Sequence, residues 1–299
     1  MRQALAAEAV EFENELVQLN LDEWPGRRAA KWILQIFAYT PELSFSLEFH
    51  LRISEHLVRA WEKNKEDRDE QRDYEFESAC REHVARFALH LDRDAAFRVC
   101  KPLIDAAEKY PKNVSEFVQS LVSAEDRSLD KISFWPLWQS FSDKACSAEW
   151  VGWLDSDRYK GRELISQLFL LGPWKEEIKH WTRLEGKAHL IDGLVERLPP
   201  SSFVIGAYSR FLYDIGEKSL PGAYTIIASR LTREIVLDSN CIYCLEHILS
   251  RQVFSEPHKL KSDDRVYQSV ISILDHLVDQ GSSSAYRMRD DFVTPIGQL

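Results

Sequence analysis

Glycine, methionine and cysteine are all scarce in this chain. Of 299 residues, 11 are Gly, two are Met and five are Cys. So few glycines leave little material for the tight turns that many short strands require, which predicts long elements. Five cysteines, an odd number in a long chain, do not make a disulfide framework. Long apolar runs are missing too. Trp32-Ile33-Leu34 and Phe169-Leu170-Leu171 fall far short of the ~20 residues that span a bilayer. Positive charge is in deficit, with 38 Lys and Arg against 48 Asp and Glu, a net charge of −10. Such a balance disfavours recruitment of nucleic acid by bulk electrostatics. The opening Met1-Arg2-Gln3-Ala4-Leu5 leads into an acidic amphipathic stretch with no apolar h-region or small-residue cleavage site. No secretion signal is expected there, and the expected place is a reducing cytoplasm.

Several catalytic signatures are also missing. The sequence contains no G-x-S-x-G elbow, no G-x-x-x-x-G-K-[ST] loop and no G-x-G-x-x-G turn. The usual nucleophile and phosphate cradles are therefore not written into it. No stretch alternates apolar and polar residues between hairpin turn signals, so strand content is expected near zero. The expectation is a non-enzyme that needs no cofactor.

What is present is helical periodicity. The chain is 44% hydrophobic with nine Trp, enough apolar mass for a sizeable core. Apolar residues recur at spacings of three and four in window after window. Leu5, Ala9, Phe12, Leu16 and Leu19 form one such face, and Ala29, Trp32, Ile33, Ile36 and Phe37 the next, with Trp24-Pro25-Gly26 breaking between them. Phe45, Phe49, Ile53, Leu57 and Trp61 follow. After the charged run Glu62 to Glu77, which reads as a solvated helix end or loop, the pattern resumes at Val84. It then continues towards the C-terminus. The clearest helix runs from Ser262-Asp263-Asp264 through Val266, Val270, Ile273, Leu274 and Leu277 to a stop at Gly281. The predicted fold is all-α: stacked antiparallel helix pairs, a HEAT-like or α-solenoid array of about a dozen helices with a degenerate repeat. The predicted organisation is an N-terminal helical lobe over 1–65 and a helical-repeat domain over 66–299, or one continuous array.

A few constellations invite chemistry. Cys241-Ile242-Tyr243-Cys244 with His247 spells C-x-x-C-x-x-H, but a zinc site needs a second ligand pair, and the same residues fit an apolar helix face. Glu177 and His180 form an E-x-x-H, half of what a di-iron bundle uses twice. His189 with Asp192 and Glu185 is equally a surface trio. Trp174 and Trp181 lie two helical turns apart on one face, either as wedges between helices or as an anchor for a protein partner. Arg287 and Arg289, on a mostly acidic chain, are cationic candidates for the same role, the plainer alternative being intrachain pairs with carboxylates.

Phe134-Trp135-Pro136-Leu137-Trp138, Gly172-Pro173-Trp174-Lys175 and Leu198-Pro199-Pro200-Ser201-Ser202 resemble segments of very large bacterial ATP-binding proteins. So does Gly281-Ser282-Ser283-Ser284-Ala285-Tyr286-Arg287-Met288-Arg289. Over about residues 134–295 the chain looks like the C-terminal helical-repeat region of that group, which is associated with anti-phage defence. The resemblance implies a helical sensor or scaffold arm whose partner is a phage component or a defence-system subunit, with the nucleotide site elsewhere. ATPase activity is not implied for this chain, which lacks any nucleotide-binding segment. The expected function is thus a non-catalytic interaction, scaffold or sensor module, with Trp174, Trp181, Arg287 and Arg289 as partner-binding candidates. The alternative is a helical-bundle metalloenzyme using Glu177 and His180, or Cys241 and Cys244.

Overall fold

A computed structural model describes residues 10–38 (less 12, 16, 17 and 22), 45–63, 73–125, 128–156, 161–170, 186–215, 220–255 and 257–293. Every regular element among these residues is a helix. Packing divides the chain into two compact units, Met1–Ala148 and Glu149–Leu299.

The first unit contains α1 (Trp24–Ala38), α2 (Leu47–Lys63), α3 (Tyr74–His90), α4 (Arg93–Ala106), α5 (Pro111–Ser123) and α6 (Phe134–Ser147). A 3-10 turn, Ser128–Asp130, packs on both α5 and α6. Each helix packs on the one two places along, and from α2 onward also on the next, so α2, α4 and α6 form one layer and α1, α3 and α5 the other. Such two-layer stacking is what successive helix hairpins produce. The break between α3 and α4 is only Leu91 and Asp92, so the chain must fold straight back. Asp92 starts α4 by accepting from the N–H groups of Asp94 and Ala95 at 3.0 and 2.9 Å, and Asp73 starts α3 by accepting from Phe76 N at 3.1 Å. The sequence suggested a lobe boundary at 65/66, in the charged run. In the structure α2 and α3, on either side of it, pack on one another.

The second unit opens with a 3-10 turn, Glu149–Trp153, and α7 (Arg162–Leu168). It continues with α8 (Ala188–Arg197), α9 (Ser202–Ile215), α10 (Leu220–Arg230), α11 (Ser239–Ser255), the short α12 (Pro257–Ser262), α13 (Asp264–Asp279) and α14 (Ser283–Val293). The same alternation holds. α8, α10 and α13 make one layer, α9, α11 and α14 the other, with α12 inserted between α11 and α13.

Two expectations about the first helix change. Trp32, placed with Ala29 and Ile33 on a core face, is 57% exposed, while Ala30 and Leu34 are buried. The helix is rotated so that its smaller residues meet α3. Trp24-Pro25-Gly26 not only breaks a preceding pattern but also forms the first turn of α1, where the proline's missing N–H has no partner to lose. Trp135 and Trp138 are buried wedges, stacked edge-on at 5.7 Å.

Candidate functional site

α13 has two faces because its sequence has two stripes. Val266, Val270, Ile273, Leu274 and Leu277 are buried against neighbouring helices, as the 3.6-residue period demands. The opposite stripe, Gln268, Ile271, Ser272, Asp275, His276 and Asp279, forms the floor of an open trough of about 810 Å³. Leu231 and Arg233, from the segment after α10, line one wall, and Tyr286, Arg289 and Asp290 of α14 the other.

Both walls are fixed by hydrogen bonds at the end of α13. α13 ends at Gly281, whose φ of +87° is left-handed. Gly281 N donates to Val278 O at 2.8 Å and Ser282 N to Leu277 O at 3.0 Å, the paired bonds of a Schellman cap. That cap reverses the chain into α14. The other wall is tied down by Gln280. Its side-chain carbonyl accepts from Leu237 N at 2.9 Å, and its amide donates to Ile235 O at 2.9 Å. His276 Nε2 lies 3.1 Å from the same Ile235 carbonyl.

The trough carries charge of both signs. Arg289 donates to Asp275 across it, and this bond holds the guanidinium above its ordinary pKa. Arg233, Asp279 and Asp290 complete the charged rim, and Tyr286, 64% exposed, is its large aromatic. Groups of this kind suit recognition of a chain with polar and aromatic side chains.

Of the residues singled out in the sequence, Arg289 is in the trough. Arg287 is exposed on α14 but does not line it. Trp174, Trp181, Glu177, His180 and Glu185 lie outside the described residues. His189 is exposed on α8, while Asp192 accepts a 2.6 Å hydrogen bond from Tyr208 Oη. Burial holds the Asp192 carboxyl above its usual range.

Cys241 and Cys244 are core residues. Cys241 Sγ faces Ser209 Oγ at 3.8 Å, and burial pushes its thiol up to about 12. A metal ligand or nucleophile needs the thiolate, which this burial disfavours. The His247 ring packs on Tyr213 at 4.8 Å, and His258 is exposed on α12. Among the described residues no group of three or more His, Cys, Asp and Glu is arranged to hold a metal ion, and no helix is long and apolar enough to cross a membrane.

Arg233, His276, Gln280 and Tyr286 were not singled out in the sequence. The stop at Gly281 signalled a turn beside α13, but the return of residues 235–237 onto Gln280 spans more than 40 positions and leaves no local pattern. No protein-family model matches the chain, and no curated protein matches it.

Proposed function

We propose that this chain is a non-catalytic protein-interaction module, which holds a segment of a partner protein in the α13–α14 trough. The observation that carries this reading is the trough itself, where an exposed Tyr286 stands among Arg233, Arg289, Asp279 and Asp290 on helices fixed by caps and a glutamine clamp. Tyr and Arg anchors dominate the energetics of protein interfaces, and stacked helix pairs present extended surfaces to their partners. The resemblance of residues 134–295 to the helical-repeat region of large bacterial defence proteins supports a more specific role. In that role the module is an arm that recognises a phage component or holds a defence assembly together. A cytoplasmic place belongs to the same reading, supported by five free cysteines.

The test is cross-linking capture with the full chain from infected and uninfected bacterial lysates, run beside Tyr286→Ala. A partner engaged at the trough will bind the variant about 30-fold more weakly, the usual loss for a central aromatic anchor. Capture of the same partner at equal strength by both proteins would rule out the trough, and capture of nothing specific would rule out the module.

A further inference from the structure

The first unit holds a second concavity, an open cavity of about 450 Å³ between the segment Leu19–Leu21, α1 and α2. Its floor is apolar, built from Ala30, Phe49 and Ile53, all buried. Its rim carries two arginines: Arg52 and Arg59 stand seven residues apart on α2 with the buried His56 between them, one stripe of one helix face. Glu55 also lines the cavity, and the two guanidiniums outweigh it.

Neither arginine is spent inside the protein. Both are exposed, and among the described residues neither has a carboxylate or hydrogen-bond partner. Arg98, by contrast, reaches from α4 to Glu48 of the same α2, and Arg81 reaches from α3 to Glu116. On a chain of net charge −10, two unpaired arginines above an apolar floor make a local site of opposite sign to the whole. A guanidinium fork matches a carboxylate bidentately, while the floor accepts one hydrophobic side chain. Seven residues of α-helix separate the arginines by about 10.5 Å along the axis. An extended polyproline-type segment brings residues i and i+3 to the same side about 9 Å apart.

We propose that this cavity binds an extended acidic–apolar peptide segment, two carboxylates three residues apart engaging Arg52 and Arg59 and an intervening apolar side chain seated over Phe49 and Ile53. The inference rests on the interaction-module reading only in taking a peptide as ligand. Its site belongs to the other unit, so the Tyr286→Ala result leaves it untouched.

The experiment is fluorescence anisotropy of the full chain with a dye-labelled Ser-Glu-Pro-Leu-Glu-Ser peptide, at low and high salt. Saturable, salt-sensitive binding is expected, weakened at least tenfold in Arg52→Glu/Arg59→Glu. That double variant should keep the parent circular dichroism and unfolding midpoint, because both side chains are exposed. It should also prefer the peptide with both glutamates replaced by lysine, a reversal that no general loss of structure produces. Failure of the peptide to bind, or equal binding by the parent and reversed proteins, overturns the proposal. So does displacement by decanoate or inorganic phosphate as strong as by unlabelled peptide, which would make the site one for small anions.

Discussion

Glu77 and Arg81 lie one turn apart on α3 and are both buried. Arg81 pairs with Glu116 of α5 at 3.0 Å and approaches Glu77 at 3.7 Å, while Trp61 Nε1 of α2 donates to Glu77 at 3.3 Å. Three helices thus converge on one network of charges withdrawn from water. Such a network does little net work against an apolar replacement of the whole set, but removing one member strands the others. Arg81→Leu should therefore destabilise the first unit by about 3–5 kcal/mol, measured by urea unfolding, and a loss under 1 kcal/mol would contradict this burial. The sequence pointed the other way at this spot. A run of mixed charge from Glu62 to Glu77 reads as solvated, and an i, i+4 Glu–Arg pair has the same letters inside and outside. Burial is decided by Trp61 and Glu116, at distances in sequence that no local window covers. The same limit applies to Trp32, exposed although its spacing fits a core face.

Helix ends were the most legible elements, since their signals are local. Asp263 caps α13 by accepting from Arg265 N at 2.9 Å, and Gly281 stops it, as the Ser262-Asp263-Asp264 and Gly281 signals predicted. Ser201 Oγ accepts from Val204 N at 3.1 Å to start α9, a signal that is likewise local. Less visible was Asp155, which accepts from Ser202 N and Phe203 N, each at 3.1 Å, from 47 and 48 residues away. Two glycines show how differently a left-handed position can be constrained. A Cβ on Gly281 would meet nothing within 4 Å, so Gly281→Ala carries only the backbone penalty, about 1–2 kcal/mol. A Cβ on Gly161, φ +88°, would lie 2.2 Å from the Trp150 ring, which is buried. Gly161→Ala must add displacement of that ring, for a total of about 2–4 kcal/mol. Thermal melts of the two variants should rank in that order, and equal losses would show that Trp150 yields freely.

At the scale of the whole molecule the two units should respond differently to acid. Between α2 and α3 of the first unit, the His50 and His83 rings stack 4.9 Å apart, with Phe45, Phe49 and Phe87 packed around them. His50 Nδ1 donates to Ser46 O at 2.8 Å, and the Nε2 atoms of both rings are buried without a hydrogen-bond partner. A proton added there would be a buried charge facing no acceptor. Burial, followed by the charge of His83, lowers His50 to about 2. Burial, followed by the charge of Arg86, lowers His83 to about 4. Unfolded, both rings titrate near 6.5, so below that pH the unfolded chain binds more protons and stability falls as pH falls. The loss approaches about 1.4 kcal/mol per pH unit for each ring, down to pH 4 for the pair and further for His50. Glu75 and Glu125, held low by Lys31 and by Lys131 with His90 respectively, add a loss of the same sign only near and below 4.5. The window from pH 6.5 to 5 therefore isolates the histidines. In the second unit the half-buried Asp192 is raised instead, by desolvation; its folded form takes the proton first, so acid there removes a desolvation cost. Urea unfolding at pH 7.5 and 5.0, followed by hydrogen exchange resolved along the chain, should show the first unit losing protection well before the second. Replacing both rings, His50→Leu with His83→Phe, should flatten the first unit's pH slope whatever its effect on absolute stability. If the parent's first unit has the same midpoint at both pH values, the two imidazoles are solvated in the native state and this account of the α2–α3 core is wrong.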